Sequence, residues 1–421
     1  MKINRRRWYR WHSFSGLSLS ILLFFISATG TLAVLSHEID WLFNSALRIA
    51  PQSETAELSW AALYGKASHA YPNARISSIT APINTGFAAE VLAVKPDGKR
   101  FRIYLNPYTN QVTGIGRWMN WQRYLRQFHR HLMLPTTLGV TLVSSTSLLL
   151  LISFLTGIVN YRRWWKGFAS VPRKNNKRLF WGDMHRLLGV WSLAFILLIS
   201  VTGLWYLGER WGLAAQYPDN DRQVMPDGYD EQWREQITPQ LLQSLQDKVT
   251  LLYPTLVVRQ LQLPDFSLTK LSSTAILFRG QADAVLVRDR ANHVAFDIYT
   301  EKHLAIRKGT SLDVHVRLSE AADPLHFGTF WGLKSKIAWF LFGLVLTALI
   351  VTGIYIYSLR MLKETTKQSS LSGPKKRLIS DNTTVVSLKA LAWRGMGCGA
   401  WVGIVLVVMC LVLAVLCEVN S

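Results

Sequence analysis

The sequence predicts an α-helical membrane protein. It should have a four-helix transmembrane core from two parallel helix–domain–helix repeats, a fifth span, and two small α+β domains outside the membrane. Three observations predict this fold: long apolar runs, basic residues confined to a few segments, and a repeat that relates the two halves. Apolar residues make up 49% of the 421 positions and charged residues 17%. The length would allow roughly two or three soluble domains, but apolar residues gathered into runs exclude a plain soluble enzyme.

Five runs contain no charged residue, and each is long enough to cross about 30 Å of hydrocarbon as a helix. They are residues 14–35, 132–161, 187–208, 337–359 and 396–417. The first run is longer than the apolar segment of a cleaved signal peptide, which has about 7 to 15 residues. We therefore expect it to remain in the protein as a span.

The net charge of +21 is distributed unevenly along the chain. Residues 1–12, 161–186 and 360–396 carry 21 basic and 3 acidic residues, a net +18, which leaves +3 for the rest. Basic residues mark cytoplasmic segments, so the N-terminus and both short loops should be cytoplasmic, and the loops of about 36–131 and 209–330 should lie outside. Since the basic runs act as topology signals, we expect no nucleic-acid partner.

An internal repeat divides the chain into two similar halves. His12 is followed at offsets 4, 15, 17 and 18 by Gly, Ser, Thr and Gly, and His185 is followed by the same residues at the same offsets. Residues 155–161 also resemble residues 351–357. Each half contains two spans, so the halves are parallel and their pseudo-two-fold axis runs along the membrane normal.

The two outer loops repeat a Tyr-Pro pair with another proline ten residues after the first. Each loop should form a small α+β domain. We expect helices at 58–70 and 238–252, and strands at 75–80, 88–94, 101–105, 256–263, 274–279, 284–288 and 294–298. Neither loop contains cysteine. Domains this small are marginal without disulfides, so they should pack together or onto the membrane helices.

The predicted domain boundaries follow from these spans and loops. They are 1–35 (N-terminus and first span), 36–131 (first outer domain), 132–161 (second span), 162–186 (cytoplasmic loop), 187–208 (third span), 209–330 (second outer domain), 337–359 (fourth span), 360–395 (cytoplasmic linker) and 396–417 (fifth span).

Four of the ten histidines recur at related positions in the two halves. The axis places His12 opposite His185, and His129 opposite His326. Two facing imidazoles on adjacent helices supply the axial nitrogens of a six-coordinate haem iron. Glycines one turn after His12 and His185 would let a macrocycle approach the backbone. The pattern predicts two sites with haem iron bound by these four histidines.

Other interpretations of the histidines remain open. A histidine at a helix end can be an interfacial residue or can hydrogen-bond neighbouring helices. Zinc and copper sites need three or four ligands, and each pair offers two. Without a C-x-x-C-H motif any haem would be b-type and non-covalent. His131 competes with His129, although the two would point about 200° apart on one helix. The lower-ranked histidines are His37 at an interface and His69, His293, His303 and His315 on the surface of the outer domains.

Several motifs resemble one membrane family. They are Trp11-His12-Ser-Phe-Ser-Gly16, Phe128-His129-Arg130, Met184-His185-Arg186-Leu-Leu-Gly189 and Pro324-Leu325-His326-Phe-Gly328. They are similar to the PepSY-associated transmembrane (PepSY_TM) family, and 104–114 and 296–301 resemble the closing strand and turn of PepSY domains. The resemblance covers about 5–360. It implies a bacterial inner-membrane protein similar to the dihaem ferric-siderophore reductases, with two haems b and PepSY-like periplasmic domains.

The favoured function is electron transfer across the inner membrane to a periplasmic acceptor. By resemblance the acceptor is a ferric siderophore or another ferric chelate, the activity a haem-dependent ferric reductase, and the role iron acquisition. A quinol or a cytoplasmic reductase would be the electron donor, and membrane lipids surround the spans. The alternative is a non-redox membrane regulator whose PepSY-like domains bind a peptide or a protease. A permease is disfavoured because no charged residue interrupts the spans. The catalytic residues are unknown.

Overall fold

The computed structural model describes residues 4–52, 58–216, 233–264, 275–371 and 387–420. The chain divides into two compact units. The helical unit comprises Met1–Leu35, Tyr124–Leu213 and His326–Val419, and the sheet unit comprises Ser36–Arg123 and Ala214–Leu325 with the last two residues.

The helices and strands are numbered in chain order. The helices are α1 (Arg5–Leu17), α2 (Ser20–Val34), α3 (Ser36–Phe43), α4 (Trp60–Ala70), α5 (Trp121–His131), α6 (Thr136–Asn160), α7 (Lys177–Trp191), α8 (Leu193–Gly208), α9 (Trp233–Gln236), α10 (Pro239–Leu252), α11 (Val314–Phe327), α12 (Leu333–Leu371), α13 (Leu388–Met396) and α14 (Cys398–Asn420). The strands are β1 (Arg75–Thr80), β2 (Ala89–Val94), β3 (Arg100–Leu105), β4 (Val112–Arg117), β5 (Val257–Gln262), β6 (Ala275–Gln281), β7 (Asn292–Asp297) and β8 (His303–Arg307).

Four described helices are long and apolar enough to cross a membrane. They cover Thr136–Asn160, Leu193–Leu213, Leu333–Thr365 and Cys398–Glu418. The first predicted span differs from the expectation of one continuous helix, because α1 and α2 are bent by 62° at a short break. Counted as one span, this pair brings the number to five among the described residues. The linker predicted for 360–395 lies partly outside the described residues; its described ends belong to α12 and α13.

Serine side chains mark the breaks between α1 and α2 and between α7 and α8. The Ser18 hydroxyl donates to the carbonyl of Phe14, four residues earlier. The Ser192 hydroxyl donates to the carbonyl of Leu188 at 2.7 Å. Such bonds to the preceding turn compete with the backbone ladder and bend helices. Both breaks follow a predicted haem-ligating histidine by about two turns.

The helix α14, which lies outside the repeat, packs on the break between α1 and α2. A Cβ at Gly399 would collide with the Ser18 carbonyl, and one at Gly403 would lie 3.1 Å from the backbone nitrogen of Leu22. Gly399 and Gly403 are four residues apart, the spacing that brings membrane helices into close backbone contact. Cys410 is fully buried in the same interface. The fifth span therefore has a structural partner in the first.

The sheet unit contains one antiparallel sheet of eight strands in the order β4-β3-β2-β1-β5-β6-β7-β8. This differs from the expectation of a separate short sheet in each outer loop. Strands β1 and β5 pair in the register Ser78↔Gln262, Ile79↔Leu261 and Thr80↔Gln260 and so join the two halves. The pairing satisfies backbone groups that two separate sheets would leave open at an edge.

Helices α4 and α10 cover one face of this sheet. Leu63 of α4 and Leu245 of α10 are fully buried against Ile79, Leu261 and Phe278. The strand residues in this core, such as Ala89, Val91 and Ala93 of β2, alternate along the chain with period two. The first outer domain therefore shares one core with the second, as the absence of disulfides led us to expect.

Two details of the strand prediction are wrong. Residues 284–288 form no strand, because Leu286 adopts a left-handed backbone conformation with φ 55° and Arg288 is engaged by α11. Its guanidinium donates to both carboxylate oxygens of the fully buried Glu320, at 3.0 and 2.9 Å. Strands β4 and β8 were not predicted. The glycines of β4 reduce its strand propensity, and they make room for neighbouring side chains, since a Cβ at Gly116 would collide with the Tyr104 ring.

Asp40 of α3 caps the N-terminus of α5. Its carboxylate accepts the backbone N–H of Trp121 at 2.9 Å and of Gln122 at 3.1 Å, and the side-chain amide of Asn120. The side chain is 6% exposed, and this burial raises the pKa of Asp40 to about 6. A tertiary contact thus fixes the start of the helix that carries His129.

Candidate functional site

The structure brings His12 and His185 together. His12 lies on α1 and His185 on α7, and their ring centroids are 6.3 Å apart with the ring planes at 79°. We call these residues the first histidine pair. They come from the two halves of the chain and occupy matching positions in the repeat.

His129 and His326 form the second histidine pair. His129 lies on α5 and His326 on α11, with ring centroids 6.0 Å apart and ring planes at 37°. The ring of Tyr206 packs edge-on against His326, with centroids 5.3 Å apart. All four histidines lie in the helical unit.

Hydrogen bonds fix the tautomer of the first pair. His12 Nδ1 lies 3.0 Å from the hydroxyl of Thr156, and His185 Nδ1 lies 2.9 Å from the hydroxyl of Thr352. Each threonine hydroxyl donates its own proton to an upstream carbonyl of its helix. With the hydroxyl protons directed to these carbonyls, the hydroxyl oxygens accept from the imidazoles, which assigns the proton to Nδ1 and the lone pair to Nε2. The Ser153 carbonyl, which can only accept, lies 3.2 Å from His12 Nδ1 and supports this assignment.

The second pair reaches the same tautomer through different partners. His129 Nδ1 lies 2.9 Å from the backbone carbonyl of Ile26, which can only accept. His326 Nδ1 lies 2.8 Å from the hydroxyl of Thr202, whose proton goes to the carbonyl of Leu198. In all four histidines the second ring nitrogen, Nε2, is therefore the one with a lone pair for a metal.

The spacing within each pair matches two imidazoles on opposite sides of one metal ion. An imidazole nitrogen binds a metal at about 2 Å, and the ring centroid lies about 1 Å beyond that nitrogen, which gives a centroid separation of about 6 Å. The observed separations are 6.3 and 6.0 Å. A direct hydrogen bond between the two rings would require an N–H on one Nε2, whereas both protons lie on Nδ1.

A cavity of about 360 Å³ surrounds the first pair. Four repeat glycines line it: Gly16, Gly157, Gly189 and Gly353. Gly157 and Gly353 support the histidines, since a Cβ there would lie 3.7 and 3.6 Å from the rings of His12 and His185. A Cβ at Gly16 would meet no atom within 4 Å. The cavity is open above Gly16, which is the cradle that a flat macrocycle needs.

The residues of the first pair fit a haem by three observations. The ring spacing suits a metal between them, the glycines leave room beside them, and Asn160 Nδ2 is a buried donor at the cavity wall without a hydrogen-bond partner among the described residues. A metal site of the zinc or copper type is disfavoured, since no three His, Cys, Asp or Glu side chains converge within the described residues.

The remaining histidines take no part in either pair. His131 ends α5, and its carbonyl packs against Gly139. His69, His303 and His315 are exposed, as predicted. The surface prediction for His293 is wrong: it is 1% exposed in β7 and its Nδ1 lies 3.1 Å from the Arg290 carbonyl.

Sequence reasoning missed the partners of the histidines. Thr156, Thr202 and Thr352 hold three of the four rings. Their signal was present, since each precedes a glycine in a repeated Thr-Gly pair. Ile26 left no signal, because it acts through its backbone carbonyl.

The structure defines a helical membrane protein with two cross-half histidine pairs and an antiparallel sheet unit. Residues 9–360 match the family model of the PepSY-associated TM region, PepSY_TM, and the chain belongs to this family. The match includes all four paired histidines and ends before α14. No curated protein matches the chain.

Proposed function

We propose that this protein is a membrane electron-transfer protein that binds two haems b and reduces a periplasmic ferric chelate, most simply a ferric siderophore, in iron acquisition by a bacterium. His12 and His185 would hold one haem, and His129 and His326 the other. One observation carries the proposal: four histidines from two halves meet pairwise, with ring centroids 6.3 and 6.0 Å apart, the spacing of two imidazoles on one metal ion.

Bound haem would supply a couple that takes up and releases one electron at a time. The chain contributes orientation. The threonine hydroxyls at the first pair and the carbonyl and hydroxyl at the second hold each ring in one tautomer and one direction. Such outer partners raise the basicity of the ligand and fix its plane. Buried apolar side chains such as Ile196 and Leu349 line the cavity of the first pair.

The overall reaction balances with a two-electron donor. One quinol gives up two electrons and two protons, and two ferric chelates each accept one electron to become ferrous. Ferrous iron is a softer ion than ferric iron and binds hard oxygen donors less tightly. Reduction would therefore release iron from the chelate. A cytoplasmic flavin-type reductase is the other class of donor that satisfies this balance.

The direction of electron flow rests on the charge distribution. The segments with a net charge of +18 include residues 1–12 and 161–186, which contain His12 and His185 of the first pair. The positive-inside rule then assigns the first pair to the cytoplasmic side and the second to the periplasmic side. Electrons would enter at the first pair and leave at the second.

The visible spectrum of the purified full-length protein tests the proposal. We expect low-spin haem bands that sharpen on reduction with dithionite, and a pyridine-haemochrome content of two haems b per chain. A protein that is folded, monodisperse and free of haem after expression with added haem precursor would contradict it. That outcome would favour the non-redox regulator, in which the sheet unit binds a peptide or protease.

A further inference from the structure

The cavity around the first pair is lined by repeat-related residues from both halves of the chain, but not all of them match in chemistry. The repeat relates Gly16 to Gly189 and Tyr161 to Tyr357, and all four line the cavity. Several other wall positions differ between the halves, and two of them bear on a charged ligand. Asn160 in one half corresponds to Ile356 in the other, and Arg186 corresponds to Ser13. One corner is therefore polar and basic, and its counterpart is not.

The side-chain amide of Asn160 has a buried donor that lacks an acceptor in the described part of the chain. Asn160 is the last residue of α6, and its Nδ2 is buried with no hydrogen-bond partner among the described residues. A buried donor without an acceptor is costly and is normally satisfied in the functional state. Its location on the cavity wall means that a ligand inside the cavity could supply that acceptor.

Arg186 belongs to a cluster with a net charge of +1, in which its half-exposed guanidinium pairs with Asp183 and donates to the Gly182 carbonyl at 3.2 Å. Asp183 already accepts two hydrogen bonds from the side chain of Arg173, at 2.8 and 3.0 Å, and also pairs with Arg186. Two guanidinium groups thus share one carboxylate. The Arg186 guanidinium lies 5.8 Å from the centroid of the Tyr161 ring, next to Asn160 in the chain. The corner combines a buried amide donor with an excess cation.

From this asymmetry we infer that Asn160 and Arg186 bind the carboxylate side chains of the tetrapyrrole held by His12 and His185. The inference rests on the proposed function and adds to it an orientation. A carboxylate must meet donors or water when it is taken into a cavity, and an amide plus a guanidinium provide them. The related corner, with Ile356 and Ser13, would face the apolar edge of the ring. The nearly two-fold site thereby accepts its cofactor in one orientation.

The test compares haem b with its dimethyl ester, in which both carboxylates are blocked. The full-length protein carries His129→Ala, so that only the first site titrates, and the apo form in detergent is titrated with each compound. We expect the ester to bind about tenfold to hundredfold more weakly than haem, the usual range for hydrogen bonds to a charged group. Asn160→Ile and Arg186→Ser, which copy the related positions, should weaken haem binding and leave ester binding unchanged.

The matched controls are Ile356→Leu and Ser13→Ala, which alter the other corner and should preserve the preference for haem. Arg186→Lys keeps the positive charge and should retain most of the preference for haem over its ester. Equal binding of haem and ester by the protein with an intact corner overturns the inference, and this comparison holds even if a corner variant does not fold. Failure of that protein to bind either compound contradicts the proposed function instead.

Discussion

The two histidine pairs differ in the groups that hold their rings. At the first pair the two halves act alike: each histidine bonds the threonine of a Thr-Gly pair and rests on the following glycine. At the second pair the halves differ, because His129 bonds a backbone carbonyl and His326 bonds Thr202. The repeat mate of Thr202 is Thr29, whose hydroxyl bonds carbonyls of its own helix.

This difference shows what a sequence repeat can and cannot guarantee. The first pair comes from motifs with identical offsets, and its environment follows the two-fold relation. The second pair comes from a looser match, in which His129 is 28 residues before Gly157 and His326 is 27 before Gly353. Its rings meet at nearly the same distance although their supports differ. Ring position is thus retained where the hydrogen-bond partner is not.

The largest expected effect is the loss of one haem on substitution of Gly30, which lies against the His129 ring, but not of its repeat mate Gly203. A Cβ at Gly30 would lie 2.6 Å from the His129 ring, whereas one at its repeat mate Gly203 would meet Ser147. Gly30→Ala should therefore displace His129 and empty the second site, with one haem left in a pyridine-haemochrome assay. Gly203→Ala is the control and should keep two. Equal haem loss in both variants would show that the glycines act through helix packing alone.

A smaller effect should follow from removing the histidine partners. Thr156→Val and Thr352→Val each take away the acceptor of an Nδ1 proton at the first pair and should lower its haem affinity by about tenfold to hundredfold. Thr202→Val should do the same at the second pair. Thr29→Val, at the matching repeat position, should change neither affinity. The measurement is haem loss to an excess of apomyoglobin, and a change at the second site in Thr29→Val would contradict the assigned partners.

The ring angles predict a spectroscopic difference between the two sites that does not depend on haem affinity. The planes stand at 79° in the first pair and 37° in the second. The angle between axial imidazoles controls how the d orbitals of ferric iron split. We expect two low-spin EPR signals, one with a large maximum g value from the first pair and one of ordinary rhombic shape from the second. His129→Ala should remove only the rhombic signal, and two identical signals would contradict the geometry.

The last prediction concerns stability and not haem binding, and it rests on Asp40, which caps the helix of His129. Burial raises the pKa of Asp40 to about 6, although the backbone N–H groups of Gln122 and Trp121 and the charge of Arg102 oppose the shift. The folded state then holds a proton more tightly than the unfolded state, so the free energy of unfolding falls as the pH rises from about 4 to 6. The loss should be about 3 kcal/mol.

Denaturant unfolding in detergent at pH 4 and pH 7 measures this slope. Asp40→Asn cannot ionise and keeps an oxygen that can cap α5, so its stability should depend less on pH over this range. Asp97→Asn, at an exposed turn, is the control. An unchanged slope in Asp40→Asn would show that another group titrates.

Much of the site was predictable because it depends on residue type and spacing. The four ring positions follow from histidines at repeated offsets, and the open side of the first cavity follows from glycines one turn later. The bend between α1 and α2 was not predictable, since it depends on how Ser18 bonds a preceding carbonyl. The single sheet was missed because pairing of β1 with β5 depends on two segments about 180 residues apart. Asn160 and Arg186 became informative only when the cavity placed them together.

The central claim is that each haem is held by one histidine from each half, and the haem content of five single variants tests it most directly. His12→Ala and His185→Ala should give the same one-haem spectrum, and His129→Ala and His326→Ala the complementary one. His131→Ala should retain both haems, because positions 129 and 131 point about 200° apart on one helix. If His12→Ala and His326→Ala instead share a spectrum, or if His131→Ala empties a site that His129→Ala leaves filled, the pairing described here is wrong.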